Sequence, residues 1–181
     1  MMTTEPIIES GMTFGPYSEG HCFYIEKSQT LKKINKRIGV QIAEFLLLEF
    51  KDTNKATISI VEAKTSSPQN PNEYINEIKE KLSNSLALFI AIYLQRHTTS
   101  HTELSDHFYQ LQLTNVSFRL ILVIKNSKKE WLPPLENKLK KALNPTVKIW
   151  NLTPASVIVL NEEGAIRRGL VNASATDITP I

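Results

Sequence analysis

Residues 43–68 read AEFLLLEFKDTNKATISIVEAKTSSP. Two apolar runs, 40–50 and 56–64, flank the polar segment Lys51-Asp52-Thr53-Asn54-Lys55. Strands joined by so short a turn pair as an antiparallel hairpin. The second strand is apolar through Ile58-Ser59-Ile60-Val61 and then ends on Glu62-Ala63-Lys64. Residues i and i+2 of a strand share a face, so Glu62 and Lys64 point together. Charges taken out of water need partners. The pair is therefore either a salt bridge at a strand end or half of a site.

The partner strand supplies a third group. Closing the hairpin over Thr53 sets Glu44 opposite Glu62, with Cβ atoms roughly 4.5–5.5 Å apart. A slip of one residue would send Glu44 to the other face. In this register two carboxylates and one ammonium converge at one end of a sheet. Like charges so close repel, so one carboxyl takes up a proton or both hold a cation. Oxygen ligands with room for water suit Mg²⁺. Three other acid-x-Lys tripeptides occur. Glu49–Lys51 lies beside the hairpin turn, the usual place for solvated charge. Glu77–Lys79 and Glu136–Lys138 fall on predicted helices, where i and i+2 do not face each other.

Beyond the hairpin, Ser66-Ser67-Pro68-Gln69-Asn70-Pro71 stops the strand, and a long helix is predicted from about 72 to 96. Its stripe is Ile75, Ile78, Leu82, Leu86, Phe89 and Tyr93, with Asn70 or Asn72 as cap. Residues 97–114 read as a polar connection and 117–125, SFRLILVIK, as a buried strand. A helix over 130–143, beginning near Pro133-Pro134, and short strands over 146–151 and 156–160 follow. A crossover through the long helix would set the 117–125 strand parallel to a hairpin strand. Ahead of the hairpin, 21–26 reads as a short strand and 28–37 as a loop or short helix. The expected fold is α/β: a mixed central sheet built as hairpin, helix, strand, helix, strand and flanked by helices.

Composition is that of an ordinary globular chain, 41% apolar and 22% charged over 181 residues. One domain is expected, its core over about 40–150, with 1–39 and 161–181 as appended elements. The apolar run Leu86–Leu94 is about half the length of a membrane span. MMTTEPIIESG lacks the basic start and apolar stretch of a secretory signal. With the single cysteine, Cys22, this leads us to expect a cytoplasmic protein without disulfides. The net charge of +3 tolerates nucleic acid without demanding it. Clusters such as Lys32-Lys33, Lys36-Arg37, Lys128-Lys129, Lys140-Lys141 and Arg167-Arg168 read first as solvated faces. His97 and His101 have a zinc-compatible spacing on a helix, but no Cys joins them and they read as surface residues. No phosphate-loop or Gly-x-Ser-x-Gly motif is present.

The segment 43–68, with the helix and strand after it, resembles the core of the PD-(D/E)XK nuclease superfamily, the restriction-endonuclease-like fold. The resemblance covers roughly residues 40–150. It implies a metal-dependent nuclease hydrolysing phosphodiester bonds of nucleic acid, DNA before RNA. Glu44 matches the first acid, Glu62 the second and Lys64 the lysine. Mg²⁺ (or Mn²⁺) is then held by Glu44, Glu62 and the Ala63 backbone carbonyl, with Glu26 standing in for an extra acid found in some members. Ser66 and Gln69, just past Lys64, are candidate contacts to substrate phosphate. Duplex cleavage would call for a homodimer, since one centre cuts one strand. The chain departs from the pattern in having Glu44 where Asp is commoner and Ala43 where Pro is usual. It also lacks a convincing helix before the hairpin and a Gln-x-x-x-Tyr motif after it. The alternative is an inactive module of the same fold that binds nucleic acid or a protein partner.

Overall fold

Long runs of β-branched and apolar residues make strands that bury both faces, and such strands need cover on each side. The chain provides it in order along a computed structural model, which describes residues 2–52, 55–67, 70–98 and 102–173, the side chains of 36–38 excepted. The elements are β1 (Ile7–Glu9), β2 (Met12–Phe14), β3 (Cys22–Phe23), a 3-10 turn (Ile25–Lys27) and α1 (Gln29–Ile38). Then come β4 (Phe45–Asp52), β5 (Lys55–Ser66), α2 (Pro71–Tyr93), α3 (Asp106–Tyr109) and β6 (Val116–Asn126). The last are α4 (Leu132–Ile149), β7 (Val157–Asn161) and α5 (Glu162–Arg167).

The main sheet has the order β3-β4-β5-β6-β7, and β1 and β2 form a separate antiparallel pair. β3, β4 and β5 run antiparallel, whereas β5, β6 and β7 are parallel. The sheet is thus mixed, as expected, and the strand after the long helix lies parallel to β5. The hairpin register is also the expected one, from Phe45↔Val61 to Phe50↔Ala56, with a shift between Phe50 and Asp52.

Strand alternation divides the core. Leu46, Leu48, Ile58, Ile60, Leu120, Leu122 and Val159 face α2 and α4. Phe45, Leu47, Val61, Ala63, Ile121, Val123 and Ile158 face the β1–β2 pair and α5. α2 starts where its sequence allows. Asn70 accepts from the Asn72 N–H, and Pro71 occupies the first turn, where its missing N–H costs nothing. α4 packs beside α2, and the Ser83 and Thr146 hydroxyls meet at 2.8 Å. Among the described residues no helix is long and apolar enough to cross a membrane.

Several local expectations are corrected. Residues 146–149 continue α4 instead of forming a strand. Val147 extends the stripe Leu135, Leu139, Leu143 by one more step of four, so helical burial wins over the alternation of Val147 and Ile149. The predicted strand 21–26 shrinks to Cys22–Phe23 and turns into 3-10 geometry that carries Glu26. β4 begins at Phe45 rather than Val40. Of the two readings for 28–37, the helical one holds, as α1 (Gln29–Ile38). Ser28 caps α1 by accepting from the Leu31 N–H at 2.9 Å, so a helix does precede the hairpin.

Candidate active site

Glu62 and Lys64 alternate with Val61 and Ala63, and so point toward α2. Glu44, one residue ahead of Phe45, has the parity of Leu46 and Leu48 and joins them. Two backbone hydrogen bonds and a tether on the residue before it fix it. Its N–H donates to the Val61 carbonyl at 3.0 Å, and its carbonyl accepts from the Glu26 N–H at 3.3 Å. The preceding Ala43 N–H donates to Ser85 Oγ of α2 at 2.8 Å. β4 thereby ends against both the 3-10 turn and α2.

Both carboxylates are buried, Glu44 to 6% and Glu62 to 0% exposure. Glu62 Oε1 receives Lys81 Nζ of α2 at 2.8 Å and Lys64 Nζ at 3.4 Å. Lys64 makes its shorter contact, 2.6 Å, to Glu77 Oε1 of α2. Glu62 Oε2 and Glu44 Oε2 are buried without a hydrogen-bond partner. Carboxylate oxygens of Glu9, Glu26 and Glu44 also lie within 4.8 Å of one another. The Tyr24 hydroxyl donates to Glu9.

The electrostatics follow from this crowding. Burial, then the charges of Glu62, Glu26 and Glu9, raise the Glu44 carboxyl from 4.5 to about 8. Burial also pushes Glu62 upward, and Lys81 and Lys64 only partly pull it back. Burial pulls the Lys64 ammonium down, but Glu77 and Glu62 outweigh it, so Lys64 is held protonated. The Tyr74 hydroxyl is raised by burial and by the charges of Glu62 and Glu77.

The structure thus brings together Glu44, Glu62, Lys64 and Glu26. Carbonyls two residues apart on a strand point to the same edge. The Ala63 carbonyl therefore points as the Val61 carbonyl does, toward the β4 side of the strand. Ser66 is exposed on the same face, two residues beyond Lys64, and Gln69 lies outside the described residues. The predicted basic faces are partly internal pairs, Lys140 with Glu136 and Arg167 with Glu163. His97 is exposed, and His101 is outside the described residues.

Sequence reasoning missed Glu9, Glu77, Lys81 and Tyr74. Helical spacing separates Lys79 from Glu77 but says nothing of what Glu77 meets on the sheet. Tyr74, Glu77, Lys81 and Ser85 recur at steps of three and four beside the apolar stripe of α2. That run of polar groups next to a buried stripe was the available signal. Glu9 arrives from a separate hairpin and left no local mark.

Comparison with protein-family models, curated proteins and solved structures finds no match to this chain.

Proposed function

We propose that the chain is a metal-dependent nuclease of the PD-(D/E)XK kind, acting on the phosphodiester bonds of nucleic acid, DNA before RNA. One observation carries the reading. Two buried carboxyls, Glu44 and Glu62, each present an unpartnered oxygen at one end of a sheet, with a protonated Lys64 beside them. A buried polar atom without a partner is rare and costly in a folded chain. The order hairpin, helix, parallel strand supports the reading, as does α1 ahead of the hairpin.

The donors fit a hard divalent cation. They are all oxygens: Glu44, Glu62 and the Ala63 carbonyl, with Glu26 and Glu9 close to Glu44. When bound, Mg²⁺ or Mn²⁺ supplies Lewis acidity and a water of lowered pKa. The protein's own groups do the rest. Glu77 holds the Lys64 ammonium at the mouth of the site, where it faces the negative charge that builds on the phosphate oxygens. An inactive binding module is the second reading, favoured by the close Lys81–Glu62 pair, which already neutralises one acid.

Calorimetry with Mn²⁺ on wild type, Glu62→Ala and Glu44→Ala tests the metal. Binding that weakens at least tenfold in both variants, with the fold kept by circular dichroism, is the expected result. Lys64→Ala should then lower cleavage of labelled DNA by roughly 10²–10⁴-fold. Equal Mn²⁺ binding in all three chains would overturn the reading.

A further inference from the structure

The sequence supplies one lysine for this site and the fold supplies two. Lys81, not Lys64, is the nearer counter-ion of Glu62, at 2.8 Å against 3.4 Å. Lys64 is anchored elsewhere, on Glu77. Lys81 also lines a cleft of about 470 Å³ on the α1 side, with Glu26, Lys27, Lys32, Asn35 and Gln41. Its lining carries three ammoniums and one carboxylate, but Glu62 already pairs with Lys81, and Glu9 and Glu44 crowd Glu26, so the cleft draws an anion once a cation offsets those acids. Asn35 is fixed in its wall by hydrogen bonds to the Val40 backbone, 3.1 Å and 2.7 Å. The cleft meets the acid cluster at two points, since Glu26 belongs to both and Lys81 touches Glu62.

A divalent cation on Glu62 and an ammonium on the same carboxylate repel at such distances. Lys64 has Glu77 to hold it, whereas Lys81 has no second ion pair among the described residues and has a cleft beside it. From this arrangement, and resting on the nuclease reading above, we infer that Lys81 is an exchangeable counter-ion. It sits on Glu62 in the metal-free chain and turns to a substrate phosphate in the cleft when the cation takes its place. Lys27 and Lys32 hold the flanking phosphodiester backbone throughout. Metal and nucleic acid then strengthen each other's binding through one side chain, and linkage makes the effect reciprocal.

The test measures two affinities on the full chain: Mn²⁺ alone by calorimetry, and a short fluorescent phosphorothioate oligodeoxynucleotide by anisotropy, in EDTA and in Mn²⁺. Removing a competitor for Glu62 should leave Lys81→Met binding Mn²⁺ several-fold more tightly than wild type. Its oligonucleotide affinity should fall about tenfold in Mn²⁺, inside the usual range of coupling between sites, and hardly at all in EDTA. Lys27→Met should weaken the oligonucleotide equally in both conditions. Lys81→Gln, which keeps a hydrogen bond to Glu62 without the charge, gives the same reading if the Met variant does not fold. Weaker Mn²⁺ binding in the Lys81 variants, or an equal loss of oligonucleotide affinity with and without Mn²⁺, overturns the exchange alone. A wild-type chain that binds neither probe overturns the nuclease reading and the exchange with it.

Discussion

Glu44 is the residue on which the opposing forces of this site meet. It titrates near 4.5 in an unfolded chain and at about 8 in the fold, because burial and three neighbouring acids disfavour its charge. The native state therefore holds this proton more tightly. The associated stability is complete below pH 4.5 and is lost as pH rises through 8. In EDTA the melting temperature should fall between pH 5 and pH 8.5, and Glu44→Gln should flatten that fall. Mn²⁺ should raise the melting temperature most at the alkaline end, where it has no proton to displace. A wild-type profile as flat as that of Glu44→Gln would contradict the assignment. Glu44, Glu62 and Lys64 were legible in the sequence for a simple reason. Strand parity, a local rule, sets Glu62 and Lys64 on one face, and Glu44 lies one residue ahead of the paired register that begins at Phe45↔Val61, its N–H on the Val61 carbonyl.

The elements around the site were legible to differing degrees. β5, α2 and β6 carry long, clean periodicities, and their positions follow directly. The end of α4 did not, because Pro145 and the alternation of Val147 and Ile149 imitate a strand start. Only the register of Val147 with Leu143 reveals the helix. α2 matters beyond its length. Ser85 is fully buried, receives the Ala43 N–H and donates to the Lys81 carbonyl at 2.8 Å. One hydroxyl thus ties the approach to Glu44 to the turn of helix that carries Lys81. Ser85→Ala leaves the buried Ala43 N–H without its acceptor, a loss of about 1–3 kcal/mol. Urea unfolding should show that loss, and Mn²⁺ affinity should fall with it as Glu44 loosens. Unchanged Mn²⁺ affinity would mean that the Val61 and Glu26 backbone contacts suffice to place Glu44.

At the scale of the molecule, the site depends on a part of the chain that packs elsewhere. The β1–β2 pair lies on the face opposite α2, where Phe14 is wholly buried and its ring meets Phe45 at 5.3 Å. From there Glu9 reaches around to Glu26 and Glu44. This was illegible in the sequence because nothing near Glu9 marks its destination. Phe14→Ala should cost about 3–5 kcal/mol and also weaken Mn²⁺ binding, since it loosens the hairpin that presents Glu9. Glu9→Gln should weaken Mn²⁺ binding with little change in stability. If Glu9→Gln binds Mn²⁺ as wild type does, Glu9 is not among the ion's ligands.

The β1–β2 pair is itself held by the far end of the chain. Phe14 bridges to Val171, and the Tyr17 hydroxyl donates to the Leu170 carbonyl at 2.7 Å across 153 positions of sequence. Contacts that span so much chain close slowly, because their loop entropy is lost before they bring any gain. The hairpin, α2 and their lysines can assemble from near neighbours. Glu9 belongs to the pair that residues 170 and 171 anchor. The acid cluster of Glu9, Glu26 and Glu44 thus draws its support from contacts that reach from the first strands to residue 171.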